Sequence, residues 1–367
     1  MPLPPIVEPV ARLSEAERAR TTRHRSLAAL GETGQRRLRA AHVAVMGAGG
    51  LGSPVILALA AAGVGTITVI DDDVVDASNL QRQVVHRHAD VGAPKTASAV
   101  RVASDLSPET HVVEVRERLH AGNAAALLAG ADLVVDGADT IDTRQDVAIG
   151  CERLGIPLVW GAVQEFHAQV TVFWSAPPDG VEPVHLTDLH PRDSAGEPPT
   201  CAMVGVLGAL CLQVGGLLAT EAIKLIAGIG EPLLGRVLLI DALTARHREV
   251  PLHRAVAPDV PAAAPAPVPF VSADAIADAA VVIDVREAHE VAGGMIPGAV
   301  HLPLGELLER VGGAGPGVAA PAIVVCQTSV RARRAVEALQ TAGIEASVLG
   351  GGMAAWTGAT VTPAVVS

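Results

Sequence analysis

Short apolar runs alternate with alanine-rich stretches through the first two thirds of the chain. VAVM (Val43–Met46) and TITVI (Thr66–Ile70) bracket the helical run SPVILALAAA, and LVVD (Leu133–Asp136) and IPLVWGA (Ile156–Ala162) come later with helical sequence between them. Near-continuous apolar strands separated by helices predict a parallel sheet covered on both faces, an α/β doubly wound arrangement. AQVTVFW and GRVLLIDA, further on, predict antiparallel additions. The pattern then breaks at PLHRAVAPDVPAAAPAPVPF, Pro251 to Phe270, whose six prolines read as a semi-rigid extended linker. Beyond it AVVIDV, AIVVC, RARRAVEALQ and EASVLGG predict a smaller α/β unit. The expected division is a first domain at 11–253, a linker at 254–269 and a second domain at 270–360.

One apolar stretch interrupts this alternation. CAMVGVLGALCLQVGGLLAT, Cys201 to Thr220, is about long enough to span a bilayer, yet it holds four glycines and Gln213. The expectation is a buried helix broken by those glycines, packed against a sheet or a partner subunit. The N-terminus has no charged-then-apolar secretory pattern, which points to a cytoplasmic protein without a membrane role.

Composition narrows the classes. The 367 residues are 50% hydrophobic and 18% charged, enough for two sizeable cores. A net charge of −12 lacks the electrostatic footprint of nucleic-acid binding. Four cysteines without a CxxC pair form neither a disulfide framework nor a thiolate zinc site, so no zinc is expected and single reactive thiols come into view. There is no tyrosine, and among 27 basic residues only Lys95 and Lys224 are lysine.

GAGGLG comes directly after a strand and opens a helix. Gly47, Gly49 and Gly52 fit the GxGxxG spacing, with Gly50 between them and Asp71 at the end of the next strand. Such a turn brings amides and a positive helix terminus to phosphate, and the carboxylate to a ribose hydroxyl. By itself it fits NAD, FAD or ATP. Three further segments sharpen the choice: DDDVVDASNLQRQ brings Asp73, Arg82 and Gln83, VGAPK brings Lys95, and DGADT brings Asp139 to a strand end. A site that splits ATP between its α- and β-phosphates needs such cations and a carboxylate-held magnesium ion, whereas hydride transfer does not.

Taken together these motifs resemble the ThiF/MoeB family of adenylating enzymes, relatives of ubiquitin-activating enzymes. RTTRHRSLAALGETGQRRL resembles the family's opening segment. The resemblance implies a Rossmann-like sheet and ATP-dependent adenylation of the C-terminal glycine of a ubiquitin-like sulfur carrier of the ThiS or MoaD kind. It implies that Gly50, Asp71, Ser78, Asn79 and Arg82 hold the nucleotide, that Lys95 contacts its phosphates and Asp139 the magnesium ion. Arg23 is similar to an arginine inserted from the partner subunit of a homodimer. Thr140 stands where the family usually has Asn. TCAMVGVLG resembles the segment that carries a reactive cysteine, here Cys201; Cys211 and Cys151 read as core, and His185 and His190 as surface residues. Regions where many relatives carry zinc-binding CxxC pairs have no cysteine.

In the second unit AIVVCQTSVRA places Cys326 at a strand end before a helix that starts near Arg331. Loop amides, the helix terminus and Arg331 all favour a thiolate there. With IDVRE, MIPGAVHLPL and LGGGMAAW, the unit resembles a rhodanese domain, which implies that Cys326 carries a persulfide taken from a persulfide or thiosulfate donor. Ser329 stands at the fourth loop position, where Gly is frequent, so a positive φ there implies strain. Met295, before IPGA, reads as structural. The alternatives are a non-catalytic carrier-binding scaffold, with or without an active rhodanese unit, and an NAD-linked oxidoreductase.

Overall fold

The structure is a computed structural model that describes residues 3–190, 205–252, 268–312, 317–327 and 329–362. The chain divides into two compact units, Met1–Val256 and Ala257–Ser367.

The first unit opens with three helices, α1 (Glu15–Arg20), α2 (Thr22–Arg25) and α3 (Gly31–Ala40). Five parallel strands come next, in the spatial order β3-β2-β1-β4-β5: β1 (His42–Met46), β2 (Thr66–Ile70), β3 (His111–Val115), β4 (Leu133–Asp136) and β5 (Leu158–Gln164). Helices α4 (Gly52–Ala62), α5 (Lys95–Leu106), α6 (Ala124–Leu127) and α7 (Ile141–Leu154) connect them, so the chain crosses over from each strand to the next. After α8 (Leu186–Leu189) comes α9 (Gly208–Ala227). The sheet is extended antiparallel by β6 (His167–Phe173), β7 (Arg236–Asp241) and β8 (Arg246–Pro251).

Apolar strands β1 and β4 are central because both faces are covered. Val43, Val45, Leu133 and Val135 join one buried cluster and Ala44 and Val134 another, on the opposite face. Helix α4 is buried along most of its length, and each of Val55, Ile56 and Leu59 contributes about 1.5–3 kcal/mol by leaving water.

Helix α9 is a correction. Gly205 lies ahead of it in a left-handed conformation and Gly208 begins it, but Gly215 and Gly216 do not break it: Gly208–Ala227 is one helix, long and apolar enough to cross a membrane by length and composition. Leu210, Val214, Leu218, Ala222 and Leu225 bury one side of it in the core of the unit. Gly215 serves contact rather than interruption, because a Cβ there would overlap Pro54 of α4. Sequence patterning does not mark β8. Its residues RHREVP are mostly exposed on an edge strand, where neither face is buried enough to leave an alternation.

The second unit is a five-stranded parallel sheet in the order β11-β10-β12-β13-β9. Its strands are β9 (Phe270–Val271), β10 (Val281–Asp284), β11 (Val300–His301), β12 (Ala322–Val325) and β13 (Ala346–Leu349). Helices α10 (Ala288–Val291), α11 (Leu304–Gly312) and α12 (Val330–Thr341) complete it. Ile283, Val324, Ala332, Val336 and Leu339 form its main core. Met295 is buried within this unit, and its backbone pairs with Val361.

Candidate nucleotide and thiol sites

Each unit presents one strand–loop–helix turn with chemistry on it. In the first unit the turn runs from β1 through Gly47–Leu51 into α4. Gly47 has φ +81° and donates to Ile70 O at 2.8 Å. A Cβ at Gly52 would overlap the Gly47 carbonyl, so the helix can begin only with glycine at this point. Leu51 precedes α4 without a side-chain cap; in the first turn Ser53 N–H is taken by Gly49 O at 2.9 Å, Val55 N–H by Leu51 O at 3.3 Å, and Pro54 has no N–H, so the cleft is faced by the glycine loop ahead of the helix.

That cleft has a volume of about 500 Å³. Gly47, Gly49, Gly50, Asp71, Asp73, Arg82, Lys95, Asp139 and Thr140 all line it, so most of the residues singled out in the sequence converge on one opening. Asp71, at the end of β2, accepts the Ala48 N–H at 2.7 Å and the Asp73 N–H at 2.9 Å. Burial pushes its carboxyl above the usual range, and the nearby Lys95 cation pulls it partly back. Lys95 begins α5, a place where the helix dipole disfavours a cation. Its side chain is only 8% exposed, and Nζ meets Asp73 Oδ2 at 2.8 Å while the Asp73 side chain is 68% exposed. A cation held at an unfavourable helix end, with an exposed carboxylate as its partner, is poised to exchange that partner for an incoming anion. Arg82 donates to Ser78 O at 3.2 Å and arches over Gly50.

Across the cleft Asp139 is exposed and makes no hydrogen bond or ion pair among the described residues. Among those residues no group of three His, Cys, Asp or Glu side chains gathers to form a metal cage. An exposed cleft carboxylate of this kind fits magnesium, which one or two carboxylates hold together with water and substrate phosphates.

The remaining candidates divide. Thr140 caps α7, accepting from Thr143 N and pairing with Thr143 Oγ1 at 2.8 Å, so its hydroxyl serves the helix start. Ser78 and Asn79 form a tight turn with Asp76 and do not line the cleft. Arg23 is exposed on α2, outside its own chain's cleft. Cys201 lies outside the described residues. Cys211 is core, as its mid-helix place implies, yet it also borders the cleft at Gly50. His190 is a correction: it is half-buried in the cleft wall, 5.4 Å from the Trp160 ring, and burial lowers its pKa. His185 pairs with Glu152 at 2.9 Å.

Gln83, singled out with Arg82 in the sequence, and His86, which carries no such signal, back the glycine loop, and His86 Nε2 bonds to Ala48 O at 3.1 Å. Gln83 Oε1, Gln169 Oε1 and Trp160 Nε1 are buried polar atoms without a partner among the described residues, on side chains that line the cleft. Asp136 is fully buried beneath the loop that bears Asp139, and burial raises its pKa against the pull of Arg144.

In the second unit Cys326 directly follows β12 with its thiol wholly buried, accepting from Ala332 N at 3.4 Å. Ser329 has φ +80° and donates to Leu349 O at 2.9 Å, so the left-handed conformation anticipated at this position is present without a glycine. A Cβ at Gly352 would overlap the Cys326 carbonyl, which closes the loop from the other side. Arg331 makes a bidentate pair with Glu290 at 2.6 and 2.7 Å, the charge-assisted fork that suits a guanidinium. Beside it the buried Arg286 is locked to Asp284 at 2.7 Å.

Comparison with known proteins adds lineage to this geometry. Residues 21–262 match the ThiF family and residues 272–359 the rhodanese-like domain. The chain is 41% identical to the probable adenylyltransferase/sulfurtransferase MoeZ of Mycobacterium tuberculosis, over 96% of each chain. It is 42% identical to the sulfur carrier protein adenylyltransferase of Thermus thermophilus, over 66% of this chain and 90% of that one. Among solved structures, E. coli MccB with MccA-N7isoASN superposes with a TM-score of 0.56 at 22% identity, covering 67% of this chain and 74% of that one, a likeness of fold.

Proposed function

The chain belongs to the ThiF family and carries a rhodanese-like domain, an adenylyltransferase and sulfurtransferase, and on that premise we propose how its residues divide the work. ATP is the first substrate, and it lies in the cleft between the glycine loop and Asp139. The second is a ubiquitin-like sulfur carrier of the ThiS or MoaD kind. Its terminal carboxylate oxygen bonds to the α-phosphorus, the bond from that phosphorus to the bridging oxygen breaks, and pyrophosphate leaves. Lys95 and Arg82 offset the charge that gathers on the phosphates, which is where most of the rate of such transfers originates. Asp139 would hold a magnesium ion together with the phosphates. Arg23, exposed and away from its own cleft, reaches the site of a second copy, which makes the working unit a homodimer.

The acyl-adenylate is then attacked by the outer sulfur of a persulfide on Cys326, and AMP departs. The resulting acyl disulfide is resolved when a second thiol, Cys201, bonds to the Cys326 sulfur; the carrier leaves as a thiocarboxylate, and a thiol reductant later restores the two cysteines. This chemistry suits the cytoplasm, where thiols stay reduced.

The observation that carries the reading is Lys95, sheltered at a helix start and held by an exposed carboxylate at the mouth of a glycine-lined cleft. The test is the intact mass of candidate carriers after incubation with enzyme, ATP and a sulfur source. The expected product has one oxygen replaced by sulfur. Lys95→Ala should lower ATP–pyrophosphate exchange about 10²–10³-fold. Cys326→Ala should keep the exchange and yield no thiocarboxylate. No exchange by the unaltered protein with any of several carriers overturns the reading in favour of a scaffold.

A further inference from the structure

Arg144 lies in the first turns of α7, close to the positive end of the helix dipole, where a cation is disfavoured. It is held there by a set of contacts unrelated to the helix. Nη2 donates to Ala138 O at 2.6 Å and Nη1 to Gly161 O at 2.9 Å, while the guanidinium lies 5.1 Å from the centre of the Trp160 ring. From below, Asp136 Oδ1 accepts the Ala138 N–H at 2.8 Å. Asp136 is fully buried and its Oδ2 has no hydrogen-bond partner among the described residues, a costly arrangement that the neighbouring Arg144 charge offsets.

The carbonyl that Arg144 grips belongs to the peptide between Ala138 and Asp139. Its orientation sets the direction in which the Asp139 side chain leaves the backbone. Asp139 itself has no contact among the described residues that would aim it. Gly137 adds no stiffness of its own; it is glycine because a Cβ would come within 2.7 Å of Met46 O. The loop therefore depends on Asp136 at its amide and Arg144 at its carbonyl.

We propose that Arg144 is the positioning residue of the nucleotide site, fixing Ala138 by its carbonyl while Asp136 fixes the same residue by its N–H, so that the Asp139 carboxylate stands in the cleft. This rests on the reading of the cleft as an ATP site. The arrangement predicts that Arg144 acts through Asp139 rather than on the nucleotide. A lysine cannot reproduce it, because one ammonium lacks the planar fork that reaches two carbonyls and stacks on a ring.

The test is calorimetric titration of the full-length protein with ATP, with and without magnesium chloride. The unaltered chain should bind ATP more tightly with magnesium, and Asp139→Asn should abolish that gain. Arg144→Met and Arg144→Lys should each reduce it to within about twofold of none, and should add less than about twofold to the loss in the Asp139→Asn background. Thermal unfolding is followed alongside, and Arg144→Lys, which keeps the charge beside Asp136, gives the reading if Arg144→Met does not fold. Retention of the full magnesium gain by either folded variant overturns the inference, as does an undiminished additive loss in the double variants. Failure of the unaltered chain to bind ATP at all sinks the nucleotide reading itself, and so is told apart from failure of the clamp.

Discussion

At the carboxyl end of β1 the chain turns through Gly47–Leu51 into α4, and at the carboxyl end of β12 it turns through Cys326–Ser329 into α12. Both turns use the place where parallel sheets keep their ligands, and both put loop amides at a helix start. The first is poor in side chains and faces a cleft of about 500 Å³, with its charged groups supplied by neighbouring loops and by the start of α5. The second is packed around one thiol, and its cations Arg286 and Arg331 are each engaged by a carboxylate. On the proposed reading, a loop that admits a nucleotide gives up side chains to leave room, whereas a loop that cradles a single sulfur keeps them and accepts a left-handed backbone at Ser329.

The sharpest way to break this contrast is to add a methyl group to each turn. In the first, Gly52→Ala forces a Cβ into the Gly47 carbonyl and should cost about 3 kcal/mol or more in unfolding, with loss of ATP binding. Gly49→Ala meets only the end of the Gln83 side chain, at 3.7 Å. It should cost under about 1 kcal/mol while still weakening ATP, because the space and not the fold is what it removes. Calorimetric unfolding and titration of both variants separate the two effects; equal stability losses would refute the account.

In the second turn the order reverses. Ser329→Ala keeps the left-handed strain and loses the bond to Leu349 O, so it should cost about 1–2 kcal/mol. Ser329→Gly loses the same bond but relieves the strain, and should come out within about 0.5 kcal/mol of the unaltered chain. A glycine variant less stable than the alanine one would show that the loop is not strained.

How much of this is legible in the sequence depends on what the partner of each residue is. The glycine loop, Asp71, Lys95 and Cys326 announce themselves because strand, turn and helix succeed one another within one short segment. Arg144 and His86 do not, since their partners are backbone carbonyls, Ala138, Gly161 and Ala48, and a carbonyl leaves no mark in residue type. Arg331 is legible as a cation near a thiol, whereas its pair with Glu290, 41 positions earlier, is not. The unbroken α9 has the same origin: only packing reveals that Gly215 admits Pro54.

The smallest expected effect is of pH, and it falls on the first turn alone. Burial lowers the His86 pKa from its ordinary value of 6.5, with the Lys95 and Arg101 charges adding to this and the Ala48 carbonyl and Asp90 opposing it. The folded state therefore keeps the ring neutral while the unfolded chain takes up a proton. Stability is complete above pH 6.5 and declines as the pH falls from there toward the lowered folded value. The drop in melting temperature between pH 6.5 and about pH 5.5 should be smaller in His86→Gln than in the unaltered chain. An identical drop in both would remove His86 from the account.

The complete burial of Cys326 has one more consequence. Under the proposed chemistry a second sulfur bonded to it would lie about 2 Å from the buried one. The sulfur handed onward would then be a different atom from the one that stays, and the one that stays would keep the shelter of the core from peroxides.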